Sequence, residues 1–175
     1  MAQTQNSSGE SLDSTLNFIA EVSGLPIEQV KTMYERVRKG RSLAEAMSIP
    51  PESLEAGYAL ACNLFSSGKY HDAETMYRAL CQYDANNPRN WLGLGCCLEK
   101  QGLYREAVFS LAHAAELGYP INPKPLYLLA QCCCSIQDTE SAKRVLEIAV
   151  TAGDEADAEQ MSYRKMSQEL LANLV

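Results

Sequence analysis

The sequence predicts an all-α protein, in which three helix–turn–helix repeats form a short right-handed solenoid between N-terminal helices and a C-terminal capping helix. The first observation behind this prediction is a pattern, Gly-x-Tyr-x-x-Ala, that occurs at 68–73 and again at 102–107. The two copies are 34 residues apart, the length of one common helix–turn–helix repeat. The second observation is that small residues recur around each copy, where two packed helices cross closely. Such a stack offers a groove to other chains.

A longer pattern surrounds each copy and follows the tetratricopeptide signature. The second unit has Trp-x-x-Leu-Gly-x-x-Leu at 91–98, and the first has Gly-x-x-Leu-Ala-x-x-Leu at 57–64. A third unit is shifted by one residue and has Leu-x-x-Leu-Ala-x-x-Cys at 126–133, but it lacks the Gly and the Tyr of the shorter pattern. The sequence therefore predicts three tetratricopeptide-like repeats, of which the third departs most from the signature.

Three helical segments are predicted before the repeats. The first covers 12–22, where apolar residues have helical spacing, and the second begins near Pro26 and stops at a glycine. Ser42 and Glu45 have the spacing of a capping box for a short third helix at 43–47. Two consecutive prolines then break the chain and begin the first helix of the repeats.

Six paired helices and one final helix are predicted after that break, with boundaries placed by glycines and by the repeat spacing. The predicted helices cover 52–66, 70–83, 87–100, 104–117, 123–136, 139–152 and 155–173. The predicted organisation is a disordered start at 1–11, an N-terminal helical region at 12–51, three repeats at 52–153, and a C-terminal helix at 154–175.

The final helix follows Gly153 and is expected to cover the open end of the stack, because the last repeat otherwise leaves apolar surface bare. An acidic cluster stands where this helix begins and is interpreted as its negative first turn. The cluster consists of Asp154, Glu155, Asp157 and Glu159.

The charge and hydropathy argue against nucleic acid or a membrane surface as a direct partner. The formal net charge is −7, and the basic residues do not gather in any segment. Apolar runs are shorter than a bilayer requires, and residues 1–14 are polar, without a basic and apolar signal region. We therefore expect a cytosolic protein that binds neither nucleic acid nor membrane.

Seven cysteines are present and are expected to be reduced thiols that pack in the core or in a groove. Several are adjacent, at 96–97 and 132–134, and successive helix residues diverge by about 100°, so these thiols cannot easily share one metal ion. Metal binding and redox sensing stay open as less favoured alternatives. The sequence has no glycine-rich phosphate loop, metal constellation or Ser/His/Asp set, so neither an enzyme nor a cofactor is expected.

The first helix of each repeat lines the concave wall of such a stack, mainly through its second, fifth, ninth and twelfth positions. These positions hold aromatic rings and small thiols, with polar groups at the margin. This surface suits an extended apolar peptide, whose side chains enter pockets while its backbone meets the polar groups. The predicted groove residues are Tyr58, Cys62, Phe65, Arg89, Leu92, Cys96, Glu99, Tyr127 and Gln131, and the same positions also hold Lys124 and Cys134.

Two other interpretations of this wall stay open. Tyr58 and Phe65 are seven residues apart on one helix face, which core packing would also produce. The groove is favoured because Leu60, Ala61 and Leu64 already supply a buried face for that helix. A clamp for acidic C-terminal tails would need basic and amide residues at the fifth and ninth positions of the first unit, where a tyrosine and a cysteine stand.

Several runs of residues resemble those of a known family. They are Gly40-Arg41-Ser42-Leu43, Ile49-Pro50, Leu54-x-x-x-Tyr58-x-x-Ala61, Ser67-Gly68-Lys69-Tyr70-x-x-Ala73, Ala79-Leu80-Cys81, Tyr83-Asp84 and Leu92-Gly93-Leu94-Gly95. Over about 36–152, the chain resembles the class II chaperones of bacterial type III secretion, the LcrH/SycD family.

The resemblance implies a chaperone of the bacterial cytoplasm that keeps hydrophobic translocator proteins soluble and unassembled before export. It implies that an extended segment near the translocator's N-terminus lies in the concave groove. Aromatic groove positions of the family match Tyr58 and Phe65, and a third position, often aromatic, falls on Cys62. The resemblance also implies a homodimer through the N-terminal helices, here at 12–39. The alternative is a tetratricopeptide scaffold that joins subunits of another assembly.

Overall fold

Ten α-helices make up the part of the chain that the computed structural model describes, residues 6–118 and 122–174, and no strand occurs there. Side chains are described from Leu12 onward. The chain divides into two compact units, Met1–Pro50 and Pro51–Val175. The first unit holds α1 (Asn6–Ser23), α2 (Ile27–Arg38) and α3 (Leu43–Ala46). The second holds α4 (Pro51–Ser66), α5 (Tyr70–Tyr83), α6 (Pro88–Lys100), α7 (Tyr104–Gly118), α8 (Pro123–Ser135), α9 (Thr139–Ala149) and α10 (Ala158–Asn173).

The first helix begins earlier than the sequence predicts. The disordered start predicted at 1–11 is wrong for residues 6–11, since α1 begins at Asn6, while residues 1–5 lie outside the described part of the chain. Ser, Asn and Gly all disfavour a helix, so composition alone argues for disorder in this stretch. Once the apolar residues from Leu12 onward have nucleated the helix, each further residue adds little cost, and the helix extends toward the N-terminus.

The capping box predicted at the start of α3 is confirmed. The Glu45 N–H donates to the Ser42 hydroxyl at 3.2 Å, and the Ser42 N–H donates to the Glu45 carboxylate at 3.0 Å. The Arg36 guanidinium donates to the Ala46 carbonyl at 3.2 Å and to the Ser48 hydroxyl at 2.9 Å, which ties α2 to the end of α3. Among residues 12–50, the buried apolar side chains are Leu16, Val30, Ala44 and Ala46.

Helices α4 to α9 form three consecutive pairs, α4 with α5, α6 with α7, and α8 with α9. Successive pairs stack through α5 on α6 and α7 on α8, so one core runs through all of them. Leu98, Leu111 and Leu146 lie in this core with 1% exposure or less. The six helices begin within one residue of their predicted starts. The all-α class with three tetratricopeptide-like helix pairs is therefore confirmed.

The turn between the two helices of every pair contains a residue with a positive φ, in the left-handed region of backbone conformation. Gly68 and Gly102 have φ values of 76° and 75°, which glycine adopts without a Cβ clash. Gln137 takes their place in the third pair with a φ of 64°. Its N–H donates to the Cys134 carbonyl at 3.0 Å, as the Gly102 N–H donates to the Glu99 carbonyl at 3.0 Å. The third repeat thus keeps the turn without the glycine, at a strain of about 1–2 kcal/mol.

Helices α6 and α7 cross closely at Gly95. A Cβ atom at this position would lie 2.6 Å from Cγ of Leu111 and 2.7 Å from its Cδ2. Because Leu111 is fully buried in a dense core, its side chain has no free volume into which it could move. The glycine of the second repeat's signature is therefore required by packing.

The final helix begins at Ala158, three residues after its predicted start at 155. Asp157 is its N-cap, and the Asp157 carboxylate accepts a hydrogen bond from the Glu159 N–H at 2.9 Å. Asp154 and Glu155 precede the cap, so the prediction that they belong to the first turn is wrong. The helix packs on α8 and α9 and covers the end of the stack. The residues of α10 that pack against the core include Tyr163, Leu170 and Leu171.

Candidate functional site

Helices α4, α6 and α8, the first helices of the three pairs, lie side by side and form one wall of the second unit. A cavity of about 150 Å³ opens on this wall, and we call it the central cavity. Its lining brings together four of the predicted groove residues, from the first and second repeats, and it also includes Lys124 from the third repeat. The lining residues are Tyr58, Phe65, Tyr77, Leu92, Gly93, Cys96 and Lys124.

A larger cavity, of about 590 Å³, lies between α5, α6 and α7 and is lined by residues that include Trp91, Leu98 and Phe109. None of the predicted groove residues lines it. Size alone therefore does not identify the site, whereas the convergence of predicted residues favours the central cavity.

Tyr77, which was not among the predicted groove residues, forms part of the central cavity from the second helix of its pair. Its side chain is 3% exposed, and its ring meets the Tyr58 ring edge to face, with centroids 5.8 Å apart and an interplanar angle of 73°. The Tyr77 hydroxyl lies 3.3 Å from Cys62 Sγ, within hydrogen-bonding distance. Burial raises the pKa of Tyr77, so the phenol stays neutral. Cys62 thus contacts Tyr77 and does not itself line the cavity.

Gly93, also missed by the sequence prediction, makes room for the Tyr77 ring. A Cβ atom at Gly93 would overlap three carbons of that ring. The need for this glycine arises only once α5 and α6 have packed, so no local pattern announces it. The one signal in the sequence is the aromatic residue four positions after Ala73, where the second repeat has Leu111.

Tyr58 and Phe65 contact the core as well as the central cavity. The Phe65 ring packs at 62° against the Tyr70 ring, with centroids 5.3 Å apart. The prediction that Leu60 belongs to the buried face of α4 is wrong, because Leu60 is 49% exposed while Ala61 is fully buried. Among the described residues of its unit, α4 packs on α5 and α6. Core packing and cavity lining therefore each describe part of the environment of the two aromatic rings.

Arg89 borders the cavity at the ring of Tyr58. Its guanidinium carbon lies 4.1 Å from the centroid of that ring, and Nη1 lies 3.3 Å from Oε1 of Glu55. A guanidinium over a tyrosine ring contributes about 0.5–1 kcal/mol at an exposed site. The guanidinium therefore packs on the Tyr58 ring, and its ion pair with Glu55 holds the guanidinium in that place.

Three predicted groove residues lie away from the central cavity. Tyr127 is 9% exposed, and its ring lies 5.7 Å from that of Tyr163 on α10. Gln131 donates its amide N–H to the Tyr127 hydroxyl at 2.9 Å. Glu99 pairs with Lys100 at 3.1 Å, near the end of α6. Helix α10 therefore covers this part of the third repeat, and the open cavity belongs mainly to the first two repeats.

The thiols near the cavity are weakly ionised. Burial raises the pKa of Cys96 to about 11, and it raises the pKa values of Cys97 and Cys132 to about 12. The thiolate is the reactive and metal-binding form, and at pH 8 a pKa near 11 leaves about one part in a thousand ionised. Across residues 6–118 and 122–174, no group of three or more His, Cys, Asp or Glu side chains is placed to hold a metal ion.

Comparison with known protein families and sequences gives two findings. The family model for subunit 3 of the anaphase-promoting complex, or cyclosome, matches residues 66–149. Low calcium response locus protein H of Yersinia pestis is 30% identical over 131 residues, which cover 75% of this chain and 75% of that protein.

Within the described residues, no helix combines the length and the apolar character needed to cross a bilayer.

Solved structures resemble this fold over most of its length. A type III secretion system complex from Aeromonas hydrophila has a TM-score of 0.75 and 25% identity, and covers 81% of this chain and 93% of that one. The Yersinia enterocolitica type III secretion chaperone SycD, in complex with a peptide of the translocator YopD, has a TM-score of 0.67 and 28% identity. That match covers 72% of this chain and 95% of the other. Another structure of SycD shows an alternative dimer.

Proposed function

Because this chain belongs to the LcrH/SycD family of type III secretion chaperones, we propose that it binds a hydrophobic translocator protein and keeps it soluble before export. The bound part is an extended segment near the translocator's N-terminus. The binding site is the central cavity together with the wall around it. The protein works in the bacterial cytoplasm by capture and release, without chemical turnover or a cofactor.

The observation that carries this proposal is the apolar central cavity on the wall formed by α4, α6 and α8. Its volume, about 150 Å³, is similar to that of an engineered apolar cavity that holds one benzene molecule. One aliphatic or aromatic side chain of a bound segment therefore fits, between the rings of Tyr58 and Phe65 and the side chain of Leu92. Burying such a side chain contributes about 1.5–3 kcal/mol.

Capture follows from mass action. A translocator whose apolar segments are buried against the chaperone has less free apolar surface for self-association or for insertion into a membrane. The complex is favoured in proportion to the free chaperone concentration relative to the dissociation constant. Capture itself needs no energy source, because it is a binding equilibrium.

We propose the N-terminal unit, with its helices from residue 12 onward, as the dimerisation region, and 52–153 as the region that binds the translocator. Phe18 and Val22 lie four residues apart on one face of α1 and are 64% and 71% exposed. Apolar side chains on one helix face favour burial against another chain. A second copy of this chain offers the same face, so a symmetric contact between two α1 helices would cover both.

Co-expression with a hydrophobic translocator from the same bacterium tests the proposed function. The translocator is expected to be insoluble alone and to appear in the soluble fraction, in a defined complex, when this chain is present. Gel filtration with light scattering then gives the mass of the free chain and of the complex.

A folded, soluble protein from the same secretion system is the matched control. We expect this control to be neither bound nor changed in solubility. A scaffold would give the opposite pattern, since it would bind the folded partner and leave the translocator insoluble, and that result would contradict the proposal.

A further inference from the structure

Lys124 is the single charged residue among the described residues that line the central cavity. Its Nζ lies 2.9 Å from Oε1 of Glu159 on α10 and 5.4 Å from the centroid of the Tyr163 ring. The Lys124 side chain is 32% exposed, whereas that of Glu159 is 68% exposed. The Lys124 ammonium group is therefore partly buried in the wall, whereas the Glu159 carboxylate is mostly exposed to water.

The same arrangement occurs one repeat earlier. Arg89 and Lys124 each follow the proline that begins the first helix of their repeat, so they occupy equivalent positions. Arg89 also lies over a tyrosine ring, that of Tyr58, and pairs with a carboxylate of another helix, that of Glu55. The repeats thus place two cations along one margin of the wall, next to the apolar residues that line the cavity.

An incoming carboxylate can replace Glu159 at little cost. Burial is the largest single effect on Lys124 and opposes its charge, but the hydrogen bond with Glu159 and the electrostatic effects of Tyr163 and Glu159 together outweigh it, so the pKa of Lys124 lies above its ordinary value. The group is therefore an ammonium ion near neutral pH. An ion pair with one mostly exposed partner contributes little, because water screens it. A bound segment excludes water from the cavity mouth, where attraction between a carboxylate and Lys124 becomes stronger.

From this geometry we propose that the bound segment carries an acidic residue next to the apolar side chain that fills the central cavity, and that Lys124 binds its carboxylate in place of Glu159. This inference rests on the proposed function and adds a requirement on the translocator's sequence. An amide at the same position could form only a neutral hydrogen bond, which is weaker than one between two charged groups.

Overlapping peptides that cover the N-terminal part of the co-purified translocator test this inference with the full chain. Each peptide is made in its native form and with every Asp or Glu replaced in turn by its amide. We expect one replacement beside an apolar residue to weaken binding by about tenfold. Lys124→Met should bind the native and amide peptides equally well. Glu159→Gln should bind the native peptide more tightly than the wild-type chain does, since it removes the competing carboxylate.

Lys165→Met is the matched control, because Lys165 pairs with Glu169 on α10 and does not line the cavity. It should leave the preference for the acidic peptide unchanged. If Lys124 served only to tie α10 to α8, Lys124→Met and Glu159→Gln would weaken binding alike, and that result would overturn the inference. Equal binding of native and amide peptides by the wild-type chain would also overturn it, but would leave the proposed groove intact. If no peptide bound at all, the proposal that the bound part lies near the translocator's N-terminus would fail.

Discussion

Replacing Tyr58 and Phe65 together by alanine is expected to weaken binding of the translocator's N-terminal segment by about a hundredfold. Both rings line the central cavity, so their truncation opens the cavity and removes much of the surface that an apolar anchor of the segment would contact. Isothermal titration measures the affinity. Far-ultraviolet circular dichroism is expected to show nearly unchanged helicity, since both rings are only partly buried.

Phe109→Ala is the matched control for this double variant. Phe109 is 68% exposed on α7 and lines the larger cavity between α5, α6 and α7. Its removal is expected to leave the affinity unchanged. If the double variant bound as tightly as the wild-type chain, or if Phe109→Ala lost as much affinity, the assignment of the binding wall would be wrong.

Replacing Gly95 by alanine is expected to destabilise the second unit by about 1–3 kcal/mol. In an unhindered helix the same change would stabilise by about 1 kcal/mol, because alanine is the better helix former. At Gly95 the new methyl group would lie 2.6 Å from Cγ of Leu111, and both helices would have to move apart. Urea unfolding followed by circular dichroism measures the free energy of unfolding.

Gly57→Ala is the control for this substitution, since a Cβ at Gly57 would meet Cδ2 of Leu80 at 3.5 Å, an ordinary contact. It is expected to leave stability unchanged or to raise it by up to about 1 kcal/mol. Leu111→Ala removes the atoms that the Gly95→Ala methyl group would strike. The double variant should therefore lose less stability than the sum of the two single variants. If the losses of stability of the two single variants simply added in the double variant, the close approach of α6 and α7 at Gly95 would not be the cause of the destabilisation.

Local signals explain why much of the fold could be predicted. The capping box of Ser42 and Glu45 and the turns at Gly68 and Gly102 depend on residues that are close in sequence, so their spacing alone identifies them. Gln137 shows the limit of this approach. It adopts the turn conformation that glycine favours, and its identity gives no sign of it.

The candidate site was harder to predict, because it depends on how the helices pack. The repeat register placed Tyr58, Phe65, Leu92 and Cys96 on one wall, and all four line the central cavity. It did not reveal that the Tyr127 ring lies against Tyr163, because no local pattern shows where α10 docks. Tyr77 was missed for a related reason, since its ring reaches the cavity only through the space that Gly93 leaves.

Site-specific photo-crosslinking tests most directly whether the central cavity holds the translocator. Phe65 is replaced by benzoylphenylalanine, which keeps an aromatic ring at the cavity, and the variant is co-expressed with the translocator and irradiated. Mass spectrometry is expected to find a crosslink to one segment near the translocator's N-terminus. The same replacement at Phe109 is expected to give none. Crosslinks from Phe109 alone, or a soluble complex in which position 65 never crosslinks, would contradict the assignment of the central cavity as the binding site.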